Sequence, residues 1–149
     1  MREHYAFVMM VKEKYWVEYR NRHDDGKRIH SYVGRGAAPP KNARVLLFYV
    51  SKPVKVLGGR ADFVERMVGT PEELWTKYGD ESVLRSEKSY EEFVGPARLV
   101  SFVRFENLRE AANSIPLVKV LMLLGVKRLS RKGFYLDKET AAGLISLME

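Results

Sequence analysis

The sequence predicts an α+β fold: a small, strongly bent mixed sheet or pseudo-barrel with short helices packed around it. Three observations carry that prediction. Strand-like runs lie on both sides of short helical runs, without the regular alternation of βαβ units. One run, Val45 to Val50 (VLLFYV), is apolar without interruption, the pattern of a strand buried on both faces. Its partner changes alternation at Gly58-Gly59, as a β-bulge does when it bends a sheet. With 149 residues, 46% hydrophobic and 30% charged, residues 1–149 suit one domain with a core of its own.

The elements follow in order. His4 to Val11 (HYAFVMMV) is strand-like, and Tyr15 to Tyr19 either extends it or begins a helix. Asn21 to Lys27 (NRHDDGK) reads as a turn, with Asp25-Gly26 as a hairpin dipeptide. Arg28 to Val33 reads as a strand, and Gly34 to Asn42, with two glycines and two prolines, as a loop. After Val45 to Val50, Ser51-Lys52-Pro53 turns the chain into a strand where Val54 and Val56 set one parity and Ala61 and Phe63 the other. The glycine break between them either only bends the sheet shut or also shapes a ligand cleft. Thr70-Pro71-Glu72-Glu73 is a capping box with proline at the first helical position, and Gly79 stops that helix. Ser86 to Val94 is a second short helix closed by Gly95-Pro96, and Ala97 to Phe105 (ARLVSFVRF) alternates as a strand. Leu117, Val120, Leu121 and Leu124 repeat at helical spacing up to Gly125, and Asp137 caps a terminal helix with Ala141, Leu144, Ile145 and Met148 on its apolar face.

Composition excludes several functions. Without cysteine, structural disulfides, thiolate zinc sites and a cysteine nucleophile are ruled out, a usage that suits a cytoplasmic protein. Glutamine is also absent while Lys, Arg and Glu abound, which is compatible with growth at high temperature. The apolar runs fall short of a membrane helix, and the charged start Met1-Arg2-Glu3-His4 lacks a signal-peptide pattern. His4, His23 and His30 have no metal-ligand spacing, and no Walker or dinucleotide fingerprint exists, so no metal or cofactor is expected.

Charge is more telling. Residues 1–60 carry 13 Lys/Arg against 5 Asp/Glu, residues 61–110 carry 7 against 11, and residues 111–149 carry 6 against 3, within a net charge of +7. A fold that brings the two basic terminal parts together makes a positive face suited to a phosphate backbone; otherwise the charge is a solvated surface.

The combination Val45 to Ser51 (VLLFYVS), Val56 to Val64 (VLGGRADFV) and Glu72 to Tyr78 (EELWTKY) resembles the PUA-like superfamily. It is similar to the ASCH and EVE branches, and most of all to their uncharacterised archaeal relatives. The tail Gly133 to Glu139 (GFYLDKE), leading into an amphipathic helix, resembles the end of such domains. The resemblance implies RNA binding, or recognition of a modified base, in a cleft beside the barrel. Some ASCH proteins are amidohydrolases acting on acylated cytidine, with a lysine, a threonine and a glutamate implicated. Gly26-Lys27 resembles their glycine-lysine element, but His30 and Ser31 follow where a threonine and an acidic-basic pair are wanted.

Nucleic-acid binding needs cations for phosphates and exposed aromatic faces for unstacked bases. Lys27, Arg28, Tyr32 and Arg35 interleave both types; Lys52 and Lys55 flank the hairpin turn; Arg60 follows the glycine break; and Lys127 to Tyr135 (KRLSRKGFY) repeats the mixture, with Arg131 and Lys132. Trp16, Tyr49 and Ser51 are candidates for a ligand pocket, Trp16 being equally a core residue, whereas Trp75 reads as a core anchor. The expectation is non-catalytic binding of RNA or a modified nucleotide, with no membrane partner and no identified protein partner. One alternative is a small hydrolase of acylated or modified nucleosides using Lys27 and a carboxylate such as Glu18. Another is an adaptor using the acidic helices from Pro71 to Val94.

Overall fold

A computed structural model describes residues 4–149; the start of the charged N-terminal stretch, residues 1–3, lies outside the described residues. At its centre is the apolar strand of the sequence, β3 (Val45–Val50), with all six residues buried. It is flanked on one side by the parallel strand β1 (Ala6–Val11) and on the other by the antiparallel strand β4 (Val56–Gly69). With β2 (Ile29–Arg35), β5 (Val100–Pro116) and β6 (Phe134–Leu136), these form a six-stranded mixed sheet in the order β2-β5-β4-β3-β1-β6. The sheet bends strongly and does not close. Its strands β2 and β1 form no ladder, yet the Tyr32 hydroxyl of β2 donates to the Met10 carbonyl of β1 at 2.8 Å.

The glycine break has a packing role. Register slips between Phe48 and Tyr49 opposite Gly59 and Leu57, leaving Gly58 without a partner in β3. A Cβ on Gly59 would lie 2.4 Å from the Arg109 carbonyl and 2.6 Å from the Trp16 ring, so only glycine admits that ring against the sheet. Trp16 belongs to α1 (Glu13–Asp24) and is 4% exposed. With Tyr19 it packs on Phe7, Phe48 and Phe105, a core in which each buried aromatic contributes about 1.5–3 kcal/mol. The bulge therefore seats a helix on a sheet that it does not bend shut, and neither glycine lines the cavity described below.

Three expectations need correction. The segment from Asn21 to Asp24 is the last turn of α1, not a loop, so Asp25 and Gly26 (φ 97°) join a helix to β2 and make no hairpin. Helix α1 buries only Trp16 and Tyr19 and has no side-chain cap, so neither periodicity nor punctuation marked it. Strand β5 runs past Phe105 to Pro116 through polar residues that pair with β4. The third is the short β6, which pairs with β1 and had no strand signal of its own.

Helices α2 (Pro71–Tyr78) and α3 (Glu87–Val94) begin as read, with the Thr70 and Ser86 hydroxyls accepting from the amides of Glu73 and Ser89. They cover Val33, Val100 and Phe102 at one end of the sheet. Arg104 of β5 fixes the 3-10 turn Gly79–Glu81 that follows α2: its guanidinium donates to both Glu81 oxygens at 2.9 and 3.0 Å and to Glu65, and lies 4.6 Å over the Tyr78 ring. Helices α4 (Leu117–Leu124) and α5 (Lys138–Met148) cover the opposite face through Val120, Leu144 and Met148, which meet Leu47, Leu57 and Ile115. Gly125, in the left-handed conformation, ends α4, and the Asp137 carboxylate caps α5 at the Thr140 amide, 2.8 Å. Among the described residues no helix is long and apolar enough to cross a membrane.

Candidate functional site

Because β1 and β3 are parallel, their C-terminal ends finish on the same side of the sheet. Chain leaves both strands there, and α4 starts beside them, tied by its Leu117 amide to the Lys55 carbonyl at 3.0 Å. The result is a cavity of about 850 Å³ lined by Met10, Tyr49, Ser51, Leu117, Leu121 and the loop from Lys127 to Arg131, a size usual for small-ligand sites. Five cations stand around it: Lys52 and Lys55 from the β3–β4 turn, and Lys127, Arg128 and Arg131 from the loop after α4. All five are exposed, no Asp or Glu lines the cavity, and none of the five takes part in an ion pair among the described residues.

The neutral groups are held more tightly. Tyr49 is 7% exposed, and burial pushes its hydroxyl pKa above the ordinary value, so at neutral pH it is an uncharged donor. Ser51 continues β3 by donating its amide to the Val11 carbonyl at 2.9 Å. Lys55 has φ 55°, a left-handed conformation that side-chain-bearing residues avoid. The loop after α4 is pinned to β1 at Gly133 (φ 85°), where a Cβ would fall 2.5 Å from both the Val8 carbonyl and the Phe7 ring. Just before it, the Ser130 hydroxyl accepts from the Lys132 amide at 3.3 Å.

The structure thus brings together Tyr49, Ser51, Lys52, Lys55 and Arg131 of the residues singled out in the sequence. Tyr32, Arg35, Arg131 and Lys132 line a neighbouring cavity of about 420 Å³. The remaining candidates stand elsewhere. Lys27 pairs with Asp80 at 3.0 Å, Arg28 with Glu106 at 3.8 Å and Arg60 with Glu149 at 3.2 Å. Trp16 is a core residue and lines neither of these two cavities. Glu18 accepts from Arg22 at 3.3 Å and Arg85 at 3.1 Å; Arg22 first, and Arg85 with it, hold its carboxyl below the usual range. Lys27 and Glu18 therefore have separate partners.

Sequence reading missed Ser130, Leu117 and Leu121. The two leucines carried only a helical-spacing signal, and Ser130 sat unremarked inside the basic run. Among the described residues no three His, Asp or Glu side chains gather as metal ligands do. A set of cations and hydroxyls around an apolar wall binds anions that also offer a hydrophobic face.

No family model matches the sequence, and no curated protein matches it. Solved structures do. The ASCH protein of Zymomonas mobilis superposes with a TM-score of 0.79 at 21% identity, covering 97% of this chain and 96% of that one. A serine-to-alanine variant of the same protein gives 0.78 at 20% identity over 99% of both chains. A Rhodopseudomonas palustris protein solved by NMR gives 0.52 at 10% identity, over 96% of this chain and 92% of that one. From β1 to α5 this chain has the same fold as the Zymomonas ASCH protein.

Proposed function

We propose that the protein binds RNA, or a nucleotide bearing a modified base, in the cavity at the ends of β1 and β3, as a cytoplasmic binding protein without catalysis. One observation carries this reading: five exposed cations surround an apolar wall that contains no carboxylate. Phosphates supply the missing negative charge. The wall from Met10, Leu117 and Leu121 receives a base, and the Tyr49, Ser51 and Ser130 hydroxyls offer hydrogen bonds to its edge. Lys27, Arg28 and Arg60 each have a carboxylate partner, so their share in phosphate binding is the smaller one.

The test is a salt titration of single-stranded RNA binding by fluorescence anisotropy. Reversing Lys52 and Lys127 to Glu should weaken binding and reduce the slope of log K against log salt by about 0.7 for each lost phosphate contact. An unchanged slope in both variants removes the cavity as the binding site.

A second reading has one observation in its favour. Solved variants of the Zymomonas protein exchange a tyrosine and a serine, and this cavity presents Tyr49 with Ser51 and Ser130. In that reading the cavity hydrolyses a modified nucleoside, with Lys55 rather than Lys27 beside the hydroxyls. Release of product from acylated cytidine that is lost in Tyr49→Phe, with the fold intact, would establish it; no turnover leaves the binding role.

A further inference from the structure

We infer that the ligand is a single-stranded segment of at least two nucleotides, the second lying in the gap between β1 and β2. This rests on the binding role proposed above and extends it to a neighbouring cavity.

Two residues, Met10 and Arg131, line both cavities, so the two are joined across the end of β1. The second exists because the sheet stays open: β1 and β2 form no ladder, and the Tyr32 hydroxyl of β2 donates to the Met10 carbonyl of β1 while its ring packs by Phe7 and Met9. Its floor is apolar, from Phe7 and Met9, and its wall is the segment Ala37 to Pro39. That wall is built in place. Arg66 donates to the Ala37 and Ala38 carbonyls at 3.3 and 3.1 Å, and the Ala38 amide donates to the Ser101 hydroxyl at 3.3 Å. A preformed apolar slot beside the half-buried Tyr32 ring suits one splayed base.

Charge follows the same path. The second cavity has Arg35, Arg131 and Lys132 on its rim and again no Asp or Glu. Arg35 is partly committed, donating to the Phe93 carbonyl at 2.8 Å and lying 5.4 Å over the Phe93 ring. Arg131 and Lys132 are exposed and enter no ion pair among the described residues. Arg131, shared by both cavities, stands where the phosphodiester between two nucleotides must cross. A duplex keeps its bases paired and cannot offer them to two slots, so the path selects single strands.

The experiment compares uridine monophosphate, the dinucleotide UpU and a tetrauridylate by isothermal titration at one salt concentration. The protein, Lys52→Glu and Lys132→Glu are used in turn. The dinucleotide should bind about tenfold or more tighter than the mononucleotide, the value of one stacked base. Lys132→Glu should abolish that gain while leaving mononucleotide affinity within about twofold, and Lys52→Glu should weaken every probe. Equal affinity for mononucleotide and dinucleotide overturns the two-nucleotide path, as does an equal loss for both in Lys132→Glu. Failure of all three probes to bind the unaltered protein overturns the binding role itself.

Discussion

Lys55→Gly separates fold from function at the cavity. Lys55 is exposed, lies in the β3–β4 turn with φ 55°, and uses its carbonyl, not its side chain, to hold the first amide of α4. A left-handed conformation costs a residue with a Cβ about 1–2 kcal/mol. Glycine removes that cost and returns about 0.5–1 kcal/mol through the greater freedom of the unfolded chain. The balance is a stabilisation of up to about 1.5 kcal/mol, and for a chain of this size each kcal/mol moves Tm by about 2–4 °C. Binding should move the other way. Loss of one charge-assisted hydrogen bond to a phosphate costs about 1.5 kcal/mol, close to tenfold in Kd. Thermal unfolding and RNA titration on the same preparation read both effects. A Tm that falls would show that the lysine side chain supports the fold, and an unchanged Kd would show that it touches no phosphate; either result refutes the reasoning.

Three further outcomes are expected. His30 is wholly buried between Tyr19 and Phe105, both ring nitrogens lack hydrogen-bond partners among the described residues, and its pKa is lowered to about 4, first by burial and then by His23, Lys27 and Arg22 against a small opposing effect of Glu81. The unfolded chain, with a histidine pKa near 6.5, takes up the proton first, so stability is lost as pH falls from 6.5 towards 4, by about 2 kcal/mol between pH 7 and pH 5. Urea unfolding of His30→Leu should show a flatter acid limb, and an identical limb would exclude His30 as its source. Gly59→Ala places a methyl group against backbone and Trp16 and should cost about 3 kcal/mol; a midpoint shift under about 1 kcal/mol would mean that the bulge yields freely. Gly133→Ala should release the loop carrying Arg128 and Arg131 from β1 and weaken RNA binding, seen as faster amide exchange around Ser130 together with a higher Kd; faster exchange at unchanged Kd would detach loop position from binding.

Legibility in the sequence followed burial. The strand Val45–Val50 was read without error because a strand covered on both faces leaves an unbroken apolar run, and the caps at Thr70, Ser86 and Asp137 because their chemistry is local. Helix α1 was legible only as one of two readings of Tyr15 to Tyr19, because it buries only two of its side chains. The outer half of β5 escaped because its identity comes from pairing with β4, with few buried residues of its own. For the candidate site, Lys52, Lys55 and Arg131 were visible as basic clusters, but not their meeting. That meeting depends on the parallel pairing of β1 with β3 and on Gly133 seating a loop against Val8. Lys27 and Arg28 looked equivalent in sequence; Asp80 and Glu106, distant along the chain, make the difference.

A cavity whose five cations have no carboxylate among them carries an uncompensated positive field. A nucleic acid bound there as proposed sheds condensed cations of its own, so that association becomes an exchange of ions. On that proposal the driving force is in large part the entropy of the released cations, common to any polyphosphate. Preference for one ligand over another falls to the groups that salt cannot screen: the hydroxyls of Tyr49, Ser51 and Ser130 and the apolar wall from Met10 to Leu121. On the proposed binding role, affinity and discrimination rest on different side chains, and mutations should alter one while leaving the other in place.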